Sequence, residues 1–392
     1  MNADFLRICA LMVCCAVPAF AQEKQPYEFH DGDRIVFLGG GLFERDLRYG
    51  YIETFLTARL NNLNLTFRNL SWSGDTVFGD ARAGFDTAVE GYQRLIKHVQ
   101  DARPTVIFLY YGQNEAFEGE AGLSKFKDGL IRLLDDLDKT GARIVVLSPT
   151  LLENLGPPLP DPAKQNANMQ LYANTLQQVA KTRHYRFVNL TQSLRHPAEE
   201  LTTPFTDDGL HYTAYGYWKV SQLILRELGY KIVAGQANGV SELELSSDVF
   251  FTPRLPEDAP RAARDGEKWQ QFIFPLKDAP QSPVRIDLVA DNKVVASAMS
   301  DQWMKGVTLD RIPEVQQVEE LREAIVAKNR LFFNQWRPQN ETYIFGFRKH
   351  EQGQYAAEIP QFDPLIEKAE QRIAELKKPK SHVYRFAVEG GK

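Results

Sequence analysis

The sequence predicts an α/β fold in which a five-stranded parallel sheet carries helices on both faces. Two observations point to it. Between residues 33 and about 230, five short apolar runs alternate with longer amphipathic ones. The central run, "TVIFLYYG", is dense in β-branched and aromatic residues, as expected of a strand covered on both sides. Such a sheet places ligands at the C-terminal ends of its strands. The polar motifs of this chain fall there.

The elements follow in order. "RIVFLG" (34–39) is a strand, "GYIETFLTARL" (50–60) a helix and "LTFRNLSW" (65–72) a strand. "FDTAVEGYQRLIKHVQDA" (85–102) is a helix stopped by Pro104, and "TVIFLYYG" (105–112) is the third strand. "LSKFKDGLIRLLDDLDKTG" (123–141) is a helix closed by a glycine. "RIVVLSP" (143–149), a helix over 163–183, "YRFVNL" (185–190) and a helix over 213–229 complete the set. Beyond 235 the pattern changes. "QFIFPLKD", "VRIDLVADN" and "KVVASAMS" alternate like antiparallel strands, with Asp291-Asn292 as the hairpin turn. Long helices are expected over 313–336 and 361–378. The domain organisation expected is therefore a main domain over 22–235, a small β-rich insertion over 236–312, and a helical C-terminal extension over 313–392.

The first residues carry a different signal. Arg7 precedes an apolar run from Ile8 to Val17, which ends in Ala19-Phe20-Ala21, the small-x-small pattern of a signal peptidase site. Cleavage after Ala21 and export to a bacterial periplasm or beyond are expected. All three cysteines, Cys9, Cys14 and Cys15, lie in this leader. The mature chain then has no disulfide, thiolate metal site or cysteine nucleophile. A net charge of −5 gives no general attraction to nucleic acid, and no later apolar stretch is long enough to span a membrane. His98, His184, His196 and His350 are scattered without metal-ligand spacing. No cofactor is expected.

Four strand ends hold the candidates for chemistry: Gly39-Gly40-Gly41, "SWSGDT" with Gly74, "YGQNE" with Asn114, and "TDDGLHYTAYGY" with Asp208 and His211. In this order, and over about residues 33–230, they resemble the SGNH, or GDSL-type, hydrolase family, with the C-terminal extension of an exported bacterial sub-branch. The resemblance implies a flavodoxin-like three-layer sandwich and ester hydrolysis, with a small-molecule or glycan ester as the partner. It implies that His211 is the general base, that Asp208 orients it, and that Gly74 and Asn114 face a developing oxyanion. The family's nucleophilic serine falls on Gly41, which has no side chain to attack with. The backbone N–H of Gly41 still serves as a third donor, and the missing hydroxyl leaves room for a water that His211 activates. The alternative is a pseudo-hydrolase that binds a glycan or acylated ligand without cleaving it.

Other roles stand beside these. Asp208 also reads as a cap for the helix at 213, Asn114 and Gly74 as turn residues, and Asp75 and Thr76 as caps. Ser71 and Ser73 stand as replacement nucleophiles from the neighbouring loop. Glu44, Arg45, Arg48 and Glu115 flank the site, either as groups that hold a polar substrate or as complements to a helix dipole. The aromatic and amide-rich "FFNQWRPQNETY" (332–343) suits a sugar-binding surface or an anchor that packs a helix end on the core.

Overall fold

The computed structural model describes residues 25–193, 204–230, 242–243, 251–259, 271–272, 283–351 and 355–388. The leader, His196 and most of "QFIFPLKD" lie outside the described residues. Five strands form one parallel sheet: β1 (Arg34–Gly39), β2 (Thr66–Asn69), β3 (Val106–Tyr110), β4 (Arg143–Leu147) and β5 (Arg186–Val188). Their order is β2-β1-β3-β4-β5, and every adjacent pair is parallel.

The layers follow from side-chain alternation along the strands. Ile35, Phe37, Val106, Phe108 and Tyr110 enter one core, which α1 (Gly41–Asp46), α2 (Tyr51–Arg59) and a later helix cover. Val36, Leu38, Ile107 and Leu109 enter the opposite core, beneath α3 (Ala88–Ala102), α4 (Leu123–Asp138) and α5 (Ala163–Thr182). Thr87 starts α3 with a capping box closed by Glu90. The short α6 (Leu190–Ser193) precedes α7 (Ala214–Glu227), the later helix of the first core, which Thr213 caps through the N–H of Gly216. The chain reverses its direction of winding between β1 and β3. Their C-terminal ends therefore open a crevice at the sheet's switch point.

The expected boundary between a β-rich insertion and a helical extension at 312/313 does not divide the structure. Strands Arg285–Ala290 and Lys293–Met299 form the expected hairpin, with Asp291 and Asn292 both at positive φ. The last strand, Tyr384–Val388, then returns to pair with Arg285–Ala290. The two regions share one small core around Leu288, Trp303, Ile312 and Tyr384. Periodicity within each run does not reveal that closure, because the pairing joins segments about a hundred residues apart.

The helix Pro313–Trp336 ties this unit to the main domain. Val318, Leu321 and Ile325 pack with Ala58 of α2. Lys328, fully buried, places Nζ 2.8 Å from Glu53 Oε1 and also donates to the Phe67 carbonyl. Asn329 donates to the other Glu53 oxygen at 2.9 Å. Removing one member of such a pair typically costs about 3–5 kcal/mol, because the remaining charge stays buried.

Candidate active site

Why this chain ends β1 in glycines is answered position by position. Gly39 has φ +148°, and a Cβ there would lie 2.0 Å from the Tyr110 carbonyl oxygen. The close approach of β3 therefore demands glycine. Gly40 donates to that same carbonyl at 3.2 Å. Gly41 opens α1 without positive φ, and its nearest neighbour is Ser73 Oγ, 3.6 Å from an ideal Cβ. A side chain fits at Gly41 without strain.

A pocket of about 70 Å³ lies beside Gly41. Gly41, Gly74, Asn114 and His211 all line it, together with Arg45, Ser73 and Gln113. Four separate strand ends thus converge on one space. Phe43 does not fill it. That ring is fully buried and stacks on Phe37 with centroids 4.8 Å apart. Trp72 also turns away, under the Arg337 guanidinium at 3.5 Å.

The His211 loop is held by carboxylates. Asp208 Oδ2 lies 2.6 Å from His211 Nδ1, and Asp208 Oδ1 accepts the backbone N–H groups of His211 (2.8 Å) and Leu210 (3.1 Å). The carboxylate therefore accepts a hydrogen bond from Nδ1–H, which leaves the lone pair of Nε2 free to accept a proton. Partial burial pushes the Asp208 carboxyl up, but the bonds from His211 and Leu210 outweigh it and hold the group below its ordinary value. The His211 side chain keeps 35% of its surface exposed, so a ligand can reach it.

The donors opposite are positioned by the backbone. Gly74 needs its φ of +81°. One amide hydrogen of Asn114 goes to the Asp75 carbonyl at 2.7 Å, which fixes the amide plane and leaves a second hydrogen. Asp75 is not an exposed cap. It is buried against Arg82 at 2.8 Å and accepts from Tyr111.

Two expected substrate-holding residues have other occupations. Glu115 is buried and absent from the pocket wall. Its oxygens accept the N–H groups of Val77 (2.9 Å) and Gly112 (2.8 Å), pinning the second and third strand-end loops together. Burial pushes its carboxyl up to about 7, against the pull of backbone hydrogen bonds. Glu44 pairs with Arg337 at 2.7 Å and accepts the Ser73 N–H. Arg45 does line the pocket, whereas Arg48 is exposed outside it. Ser73 shares the pocket; Ser71 is fully buried away from it, and its hydroxyl has no partner among the described residues. The 332–343 stretch anchors the core through buried Phe332, and Trp336 packs on Trp72.

Glu153 was not singled out by the sequence. Its carboxylate accepts from the N–H groups of Phe205 and Thr206, and its own N–H donates to Gly209 O. It sets the start of the His211 loop from fifty residues upstream. Among the described residues, no group of three or more His, Cys, Asp or Glu side chains stands ready for a metal. No described helix is long and apolar enough to cross a membrane.

Residues 32–219 match the GDSL-like Lipase/Acylhydrolase family. This stretch is a GDSL-like lipase/acylhydrolase domain. No curated protein sequence matches the chain. The fold is similar to that of a gut microbial diltiazem-metabolizing enzyme, at 12% identity and a TM-score of 0.64, over 92% of this chain and 98% of that one. A catalytic mutant of an acetylxylan esterase from Geobacillus stearothermophilus also matches, at 17% identity and a TM-score of 0.40, over 52% of this chain and 97% of that one. The GDSL-like domain thus accounts for the sheet and the pocket, and the first likeness continues through most of the C-terminal unit.

Proposed function

We propose that the protein hydrolyses small ester-linked acyl groups, with an acylated glycan as carrier, by direct attack of water. The single observation that carries this is the open space beside Gly41, which His211, Asn114 and Gly74 also line. At about 70 Å³ it has room for about two waters, or for a water beside a methyl-sized acyl group.

The steps follow from the groups present. His211 Nε2 takes a proton from a water in the Gly41 space, and the water oxygen bonds to the ester carbon. The carbonyl oxygen becomes an oxyanion, faced by the N–H groups of Gly74 and Gly41 and by the second amide hydrogen of Asn114. Asp208 stabilises the imidazolium that has formed. The intermediate then expels the alcohol oxygen, which receives the proton from Nε2, and acid and alcohol leave. The leader points to this chemistry taking place outside the cytoplasm, with Gln22 at the mature N-terminus.

The test uses the purified mature chain with aryl acetate and acetylated sugars, before and after an organophosphonate. Direct water attack predicts turnover that survives the phosphonate, with no mass added to any serine. A phosphonate adduct on Ser73 with loss of activity would instead assign the nucleophile to that residue. Tight binding of the esters without turnover would leave a pseudo-hydrolase that holds its ligand.

A further inference from the structure

Among the described residues that line the pocket, Arg45 is the only Arg or Lys. The residue is partly exposed, and no ion pair joins it to a carboxylate among the described residues. Its surroundings make this unusual. Arg82 pairs with Asp75, Arg322 with Glu319, and Arg337 with Glu44. The neighbouring carboxylate, Glu44, is engaged by Arg337 and the Ser73 N–H and is not available to Arg45. No Asp, Glu or Lys stands among the other described lining residues: Ser73, Gln113, Asn114 and Thr150 supply neutral polar groups.

A guanidinium at a pocket wall without a counter-charge is open to pair with an anion that enters. Its planar fork matches carboxylate, sulfate or phosphate. We infer that Arg45 selects esters that carry an anionic group next to the scissile bond. This rests on the ester-hydrolase function proposed above and names its substrate class. The charge has two sources. It belongs either to the alcohol part, as in a uronic acid unit, or to the acyl part, as in a half-ester of a dicarboxylic acid.

Two matched pairs of substrates separate them: an O-acetyl hexuronate against an O-acetyl hexose, and an aryl hemisuccinate against an aryl butyrate. The wild type is expected to prefer the anionic member of one pair, and that pair identifies the source of the charge. In Arg45→Gln the ratio of kcat/KM, anionic over neutral, falls by about 10–100-fold, chiefly through KM. Arg45→Lys restores part of it, since the charge remains and the fork is lost. An unchanged ratio, including an equal loss on both members, overturns the inference. If the wild type turns over none of the four esters, ester hydrolysis itself fails, and calorimetric titration with hexuronate and succinate decides the anion site. Saturable binding that Arg45→Gln abolishes upholds it; absent binding, or equal binding by both proteins, overturns it.

Discussion

Gly39 and Gly41 look alike in the sequence and are opposite in the structure. The first is forced by the Tyr110 carbonyl; the second has space for a side chain. A run of three glycines signals a close backbone approach but does not say at which position it occurs. The Asp208–His211 pair was legible, because its members stand only three positions apart and the loop alone brings them together. Glu115 was not. It follows Asn114 directly, yet the turn aims its carboxylate inward to the Val77 and Gly112 N–H groups. At this scale the expected result is that Gly41→Ser folds with little change in thermal stability. Its new hydroxyl should come within reach of His211 Nε2 and be labelled by an organophosphonate on the residue-41 peptide. A folded but unlabelled variant would count against the placement of His211.

Strands and helices were legible because each has its own period. The β1–β5 runs and α2–α5 fall where apolar spacing put them, and the helix Pro313–Trp336 has the expected ends. What joins elements was hidden. Arg337, at the end of that helix, is 293 residues from Glu44, and no local pattern links them. Yet this contact reaches the site. Arg337 stacks on Trp72 and holds Glu44, whose other oxygen accepts the Ser73 N–H just before Gly74. The C-terminal unit therefore braces the loop that carries Gly74, the proposed oxyanion donor. Arg337→Ala is expected to lower kcat by about 10–100-fold with a smaller change in KM, since small displacements of positioned groups are costly. Lysine should not restore it, lacking the flat surface that covers Trp72. Steady-state kinetics beside a thermal melt separates this from unfolding, and an unchanged kcat would contradict the brace.

Across the whole molecule, the main domain and C-terminal unit share buried polar contacts as well as apolar ones. Their order in the sequence was visible, but their closure by Tyr384–Val388 was not, since strand pairing at long range has no local mark. Stability should also carry a pH signature. Asp46 is fully buried and accepts the N–H groups of Tyr51 and Ile52. Burial pushes its carboxyl up to about 7, in spite of those two bonds. An unfolded chain releases this proton near pH 4. Between about pH 4 and 7 the folded protein holds a proton that the unfolded one has lost, so this contribution falls as pH rises. In urea denaturation, the stability of the wild type relative to Asp46→Asn should decrease from pH 5 to pH 8, by no more than about 1.4 kcal/mol per pH unit. A relative stability that increases with pH would contradict the burial of an ionisable group there.

The most direct measurement is single-turnover and steady-state hydrolysis of an acetyl ester by the wild type and by His211→Ala. A base that activates water predicts a loss of about 10²–10⁴-fold in kcat, with folding intact and no acyl-enzyme trapped in either protein. A His211→Ala rate equal to the wild type, or an acetylated residue recovered from the wild type, would contradict direct water attack at Gly41.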